Sequence, residues 1–346
     1  MINIPKLTQF SPGAGCGCKI SPKDLAQILD SQISYADDPN LLVGNSNKDD
    51  AAVYDIGNGQ VTISTTDFFT PIVDNPYNFG QIAAVNAISD IYAMGGKPIM
   101  AIAILGWPVD KLPLESAKQV LEGARAVCNQ AGITLSGGHS IEISDPIFGL
   151  AVTGIAEKKY IKQNNKAKAG SKLFITKPLG IGIMATAEKE GLVTKEDSQE
   201  IIKLMTSLNK VGFDLAKFDS INAITDVTGF GLLGHLLEIC EGSHVDAEIN
   251  FEAVPTIKNL QKYIDAKTFP GGLFKNFKSY GDKVHELTEQ QKYVLCDAQT
   301  SGGLLIAVED SGLEKVTEFM AEINHPFYEV GILTESKGEK QRIKVK

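Results

Sequence analysis

The sequence predicts an α/β (α+β) protein of two domains built on mixed sheets, and three observations carry that prediction. At 346 residues the chain exceeds one ordinary domain. In each half, short apolar or β-branched runs alternate with longer helical stretches, the pattern of sheets flanked by helices. Between the halves lies a polar segment, residues 157–170, whose Lys158, Lys159, Lys162, Lys166 and Lys168 make it read as a solvated linker. The division is therefore a glycine-rich loop over 1–20, a first α/β domain over 21–156, the linker, and a second α/β domain over 171–346.

Taken in order, Gly13-Ala14-Gly15-Cys16-Gly17-Cys18-Lys19 places three glycines in seven residues. That disfavours helix or strand and permits a mobile loop passing close to a ligand. Ser21-Pro22-Lys23-Asp24 starts a helix through Leu25, Ile28 and Leu29, with serine as cap and proline in the first turn. Ala51 to Ile56 and Val61 to Thr66 read as strands joined by Gly57-Asn58-Gly59, whose Asn-Gly pair signals a hairpin. Phe79 to Met94 is a helix apolar around most of its circumference and hence buried, with Asn86 and Asp90 on one face. Pro98 to Leu105 is a strand, and Glu115 to Ala131 an amphipathic helix stopped by Gly132. Ile133 to Leu135 is a short strand entering a loop, Ser136-Gly137-Gly138-His139-Ser140, and Phe148 to Ile155 a further strand. The second half restarts with a strand, Lys172 to Thr176, and a helix opening at Gly180-Ile181-Gly182. Helices follow over Ile201 to Phe218, Leu232 to Cys240, Ile257 to Ile264 and Gly312 to Ile323, with strands over Val245 to Phe251, Leu304 to Val308 and Tyr328 to Leu333.

A hydrophobic fraction of 43% and a charged fraction of 22% describe a soluble globular chain with ample core. The net charge of −9 argues against a nucleic-acid partner, which needs a clustered basic face. No long uncharged apolar run and no signal-peptide pattern appears, so no membrane is implied and the expected location is the cytoplasm. Five cysteines at 16, 18, 128, 240 and 296 do not make a secreted disulfide framework. Cys128, Cys240 and Cys296 follow apolar residues and read as core, whereas Cys16 and Cys18 sit where glycine exposes them. Beside Lys19, which favours thiolate, they form a candidate nucleophile or soft-ligand site, the alternative being a loose tail.

The acidic residues are the main chemical clue. Asp49, Asp50, Asp67, Asp90 and Asp226 stand at element boundaries or on the buried helix, not on exposed polar faces. One such aspartate is commonly a turn former or cap, but five together suit an oxygen-loving cation, Mg2+ above all, which in turn binds polyphosphates. No G-x-x-x-x-G-K-[ST] motif exists, and Gly180-x-Gly182-x-x-Ala185 is a weak match to a dinucleotide fingerprint. His139 is a candidate general base, or part of a loop that meets phosphates through backbone N–H groups. His235 reads as a packed or surface histidine.

Seven motifs in order along nearly the whole chain resemble the selenophosphate synthetase family: LTQFSPGAGCGCKISP (7–22), NKDDAAVYD (47–55), NAISDIYAMGGKP (86–98), SGGHS (136–140), TKPLGIG (176–182), TDVTGFGLLGH (225–235) and DAQTSGGLL (297–305). The cysteine–lysine loop is specific to that family. The aspartate and glycine motifs are shared with aminoimidazole ribonucleotide synthetase and thiamine monophosphate kinase. The resemblance implies that ATP, selenide and water become selenophosphate, AMP and orthophosphate, with Mg2+ required and K+ commonly activating. It implies Cys16 as the essential nucleophilic position and Lys19 as the essential lysine. It implies Asp50, Asp90 and Asp226 as Mg2+ ligands, and Lys19, Asn47, Lys48, Asp49, Asp67 and Asp90 as ATP contacts. Gly138, His139 and Ser140 would form a nucleotide loop supplied by a partner subunit. The implied fold is the two-domain aminoimidazole ribonucleotide synthetase-like one, with N-terminal sheets pairing in a homodimer. A synthetase or kinase of that superfamily acting on another substrate, and a CxC metal-binding or redox protein, are the alternatives. The loop, on this reading, closes over a site built elsewhere.

Overall fold

The computed structural model describes residues 5–11, 13–30, 38–44 and 48–346. The first half contains, in order, α1 (Pro22–Leu29), β1 (Leu41–Val43), β2 (Ala52–Gly57), β3 (Gln60–Phe69), α2 (Pro76–Ala93), β4 (Lys97–Trp107), α3 (Leu114–Ala131), β5 (Thr134–Glu142) and β6 (Ile147–Glu157). The strands form one six-stranded sheet in the order β1-β2-β3-β6-β4-β5, mixed because β4 and β5 run parallel. The expected hairpin joins β2 to β3, with Gly57, Asn58 and Gly59 all at positive φ.

Local chemistry explains each boundary near the site. Ser21 caps α1, its hydroxyl accepting from the Asp24 N–H at 3.2 Å. Asn75 caps α2 in the same way, at 3.0 Å from the Asn78 N–H, ahead of Pro76 at the first helical position. α2 has no polar side because it is covered on all sides: it packs on β3 and β6, against α3, and against β8, α5 and α6 of the second half, elements given below. A Cβ on Gly80 would lie 1.9 Å from the Val120 carbonyl oxygen, so glycine is what lets α2 and α3 approach.

The second half contains β7 (Lys172–Ile175), α4 (Ile181–Lys189), α5 (Lys195–Met205), α6 (Val211–Leu215), β8 (Ile221–Asp226), α7 (Gly231–Ser243), β9 (Val245–Ile249), α8 (Leu260–Asp265), α9 (Gly271–Tyr280), α10 (Glu289–Leu295), β10 (Leu304–Val308), α11 (Leu313–Glu322), β11 (Tyr328–Glu335) and β12 (Ile343–Val345). Its six-stranded sheet has the order β12-β9-β11-β7-β10-β8, and only the β12–β9 pairing is parallel. Among the described residues no helix is long and apolar enough to cross a membrane.

Three expectations are corrected. The helix expected over 201–218 is broken between α5 and α6, where the Asn209 amide is spent on tertiary bonds, donating to Ser89 Oγ and the Gly302 carbonyl at 2.8 Å each. The 136–140 segment is not a loop but the middle of β5. There a Cβ on Gly138 would meet the Ala103 carbonyl oxygen at 2.2 Å, so the glycine serves close strand approach, not a turn. The 157–170 segment is only partly solvated. Lys162 is buried, its amine donating to the Ile221 carbonyl at 2.6 Å, and Asn164 is buried beneath Asp49.

Candidate active site

Between the two sheets opens a chamber of about 320 Å³ whose walls carry Lys19, Lys48, Asp49, Asp50, Thr65, Asp67, Asp90 and Asp226. Each comes from a defined place. Asp50 lies just ahead of β2, Thr65 and Asp67 on β3, Asp90 on the buried face of α2, and Asp226 at the end of β8.

Asp50, Asp90 and Asp226 converge, each offering an oxygen within 4.8 Å of the others. Two of them are braced by threonine hydroxyls: Thr225 donates to Asp50 at 2.8 Å and Thr65 to Asp90 at 2.5 Å. The second carboxylate oxygens of Asp50 and Asp226 are buried without any partner. Burial first, then the neighbouring carboxylates, pushes Asp50 and Asp90 well above the usual carboxylate range, and burial raises Asp226 too. Three such acids cannot all ionise alone, and a cation at their centre would supply both the charge and the missing partners. The donor set is all oxygen, which selects a hard cation.

The 13–19 segment is docked against the chamber. The Gly15 N–H donates to the Thr70 carbonyl at 3.0 Å, residues 16–18 form a 3-10 turn, and Cys16 is fully buried. The expectation that glycine exposes both cysteines therefore holds for Cys18 and is corrected for Cys16, whose docking bonds turn it inward. The Cys16 N–H donates to Thr300 Oγ1 at 2.9 Å, and its thiol to Asn86 Oδ1 at 3.3 Å. Asn86 Oδ1 also accepts the Ser301 N–H at 2.8 Å, while Asn86 Nδ2 donates to Asp67 Oδ2 at 2.6 Å. The same Asp67 oxygen takes the Lys19 amine at 3.1 Å. Cys16, Asn86, Asp67 and Lys19 thus form one hydrogen-bonded chain. Burial, reinforced by Asp67, raises the Cys16 pKa well above the ordinary thiol value, so the docked sulfur is a neutral thiol. Burial works against the charge on Lys19, but Asp67, Cys16 and Asp90 outweigh it and its pKa is raised.

Lys48 and Asp49 stand at the chamber mouth. Lys48 reaches Glu241 at 3.4 Å, and Asp49 accepts the Asn164 N–H at 2.6 Å, with burial raising its pKa. His235 is buried in the chamber wall, its ring stacked on Phe230 and 3.2 Å from Thr228 Oγ1. Gly138, His139 and Ser140 are not in this chamber. They lie exposed on β5, an edge strand of the first sheet. Asn47 lies outside the described residues.

Sequence reading assigned no role to Asn86, although it placed it beside Asp90, and none to Thr65, Thr225, Thr300, Ser301 or Lys177. A hydroxyl next to a motif aspartate was the available signal for Thr225. Lys177, in TKPLGIG, is buried, with its Nζ donating to the carbonyls of Ser207 at 2.7 Å and Ser301 at 2.8 Å. Burial lowers its pKa to about 7, toward a neutral amine with two N–H groups for two carbonyls.

The two halves match the two domain models of the AIR synthase related proteins, the N-terminal domain model over residues 48–156 and the C-terminal domain model over residues 168–344. A solved structure of the same fold, AaThiL complexed with AMPPCP and TMP, is 19% identical with a TM-score of 0.65, over 93% of this chain and 91% of that one. Among curated proteins, the selenide, water dikinase of Photorhabdus laumondii is 61% identical over 90% of each chain, and that of Haemophilus ducreyi 56% identical over 98% of each. The chain belongs to the selenide, water dikinase family.

Proposed function

We propose that this enzyme makes selenophosphate from ATP, selenide and water, releasing AMP and orthophosphate, in the chamber between its two sheets. The observation that carries the reading is that one hydrogen-bonded chain ties a cysteine–lysine loop to the wall of a three-carboxylate chamber. ATP binding is supported by the AMPPCP complex of the similarly folded AaThiL. Asp50, Asp90 and Asp226 would hold Mg2+, because their converging oxygens and two unpartnered buried oxygens fit a hard cation. When bound, such a cation neutralises phosphate charge at the transferring group.

The chain's own residues do the remaining work. Lys19, at the chamber wall, offsets the negative charge gathered when a phosphate and an anionic nucleophile meet. Thr65 and Thr225 orient the carboxylates they donate to. Lys48 and Asp49 frame the mouth through which the nucleotide passes. Cys16 in its docked position is protonated and shielded, so it handles selenium only after its S–H leaves Asn86, and the approach of Lys19 then favours the thiolate. Asp67, shared by Asn86 and Lys19, couples those two movements.

A homodimer completes the reading. Among the described residues nothing covers the apolar face of the first sheet opposite α2, where Phe68, Ile99, Ile102, Ile141 and Ile155 are all exposed. A second copy seated there brings the exposed Gly138, His139 and Ser140 toward the interface. Light scattering should report twice the chain mass, and a monomer at micromolar concentration refutes the pairing. The expected compartment is the cytoplasm, where an exposed Cys18 stays reduced.

Phosphorus NMR of the protein with ATP, Mg2+ and selenide tests the function. A selenium-coupled phosphorus signal rising together with AMP is expected, and Cys16→Ser should abolish it. ATP consumed only to ADP would overturn the reading in favour of a kinase acting on another substrate.

A further inference from the structure

Behind the docked loop lie two further cavities that the chamber chemistry does not use. One, of about 440 Å³, is bounded by Ser11, Thr70, Cys18, Lys189 and Lys275. The next, of about 550 Å³, is bounded by Cys18, Lys19, Lys23, Lys275 and Lys278. Cys18 and Lys275 belong to both, and Lys19 belongs to the second and to the ATP chamber. The three spaces therefore adjoin one another along the loop, with Cys18 on the wall shared by the first two and Lys19 on the wall shared by the last two.

Their lining is not that of the rest of the molecule. In a chain of net charge −9, five lysines face this route against two aspartates, Asp145 and Asp24. The Asp24 carboxylate is already engaged by the Ser21 hydroxyl at 2.6 Å. The Ser11 and Thr70 hydroxyls, although on residues that line the outer cavity, are buried beneath its surface and offer no donor to an ion there. The Lys189 amine donates to the Ser11 carbonyl at 2.8 Å, fixing that wall. Of the five cysteines Cys18 alone is exposed, and it puts a polarisable sulfur among these cations. Ammonium groups and a sulfur together suit a small soft anion, not a polyphosphate, which would need the carboxylate-held cation on the other side.

We propose that this lysine-lined route admits the hydroselenide anion, from the Ser11–Cys18 cavity past Lys275 to Lys19, so that selenide and ATP reach the reacting centre from opposite sides of the loop. This rests on the function proposed above. Lys275 is exposed and touches neither the carboxylates nor the chamber, so its substitution leaves the nucleotide side intact.

The test is steady-state kinetics under argon, with anaerobic equilibrium dialysis of radiolabelled hydroselenide without ATP as the binding readout. Lys275→Ala should raise KM for selenide about threefold and Lys275→Glu about sevenfold, the factors for a change of one and two charge units at roughly 7 Å in water. KM for ATP should stay within about twofold, and the selenide effect should shrink at high salt. Lys275→Glu should weaken hydroselenide retention, whereas Asp226→Asn should not. Unchanged KM for selenide in Lys275→Glu with normal turnover overturns the route alone. Displacement of the label by equimolar orthophosphate also overturns it, by making the route a general anion site. Absence of selenide-dependent AMP in the unmodified enzyme instead overturns the function.

Discussion

Asn86→Ala is the perturbation that most directly tests the docked loop. The side chain is fully buried and serves three partners: it accepts from Cys16 Sγ and the Ser301 N–H and donates to Asp67. Truncation leaves the Ser301 amide without an acceptor, at about 1–3 kcal/mol for an unsatisfied buried donor. It also removes a charge-assisted bond to Asp67, worth about 1.5–3 kcal/mol. The thiol bond is weak and adds little. Together the loss is about 2.5–6 kcal/mol. Urea unfolding measures it directly. A second readout separates loop docking from general weakening: alkylation of each cysteine by iodoacetamide under native conditions, mapped by mass spectrometry. In the unmodified protein Cys18 reacts first and Cys16 lags, since Cys16 has no exposed surface. In Asn86→Ala, Cys16 should approach the rate of Cys18 while Cys128, Cys240 and Cys296 stay protected. A variant within about 1 kcal/mol of the parent, with Cys16 still shielded, would refute the claim that Asn86 holds the loop.

Two further outcomes follow from the charges. Asp226→Asn should stabilise the metal-free protein by about 1–2 kcal/mol, because it relieves three crowded carboxylates, yet abolish the rise in Tm that millimolar Mg2+ gives the parent; equal Mg2+ shifts in both proteins would disprove the metal assignment. Lys177 has its pKa lowered from 10.5 to about 7 by burial, so between these values the unfolded chain holds a proton that the folded one has released. Stability therefore rises with pH through that window, by about 2 kcal/mol from pH 7 to 9, and Lys177→Met should lose this rise. Parallel pH profiles in urea unfolding would count against a neutral Lys177.

What could be read from the sequence was what a local pattern dictates. An apolar surface around the whole of α2 meant burial, whatever covered it, and aspartates without exposed polar neighbours meant charge held for a purpose. The glycines of the 136–140 segment show where local reading divides. A glycine pair signals either a turn or a close backbone approach, and on an exposed edge strand there is no alternation of burial to decide between them. The break between α5 and α6 was hidden for a related reason. Asn209 leaves the helix to bond Ser89 and Gly302, 120 and 93 residues away, and no window of sequence contains those partners.

The role of Asn86 was hidden at still longer range, and the reason bears on how the site works. Its bonds to Cys16 and Ser301 span 70 and 215 residues, joining the N-terminal loop, the first domain and the second domain at one amide. Asp50 of the first domain is likewise bound by the hydroxyl of Thr225 in the second, the residue next to Asp226. Chamber and loop are therefore both assembled across the domain boundary, and neither half of the chain holds a complete version of either. It follows that a change in how the domains sit together moves the thiol and the carboxylates at once. On the proposed function, saturating ATP with Mg2+ should therefore change the rate at which iodoacetamide alkylates Cys16, and an unchanged rate would refute a coupling between the carboxylates and the thiol.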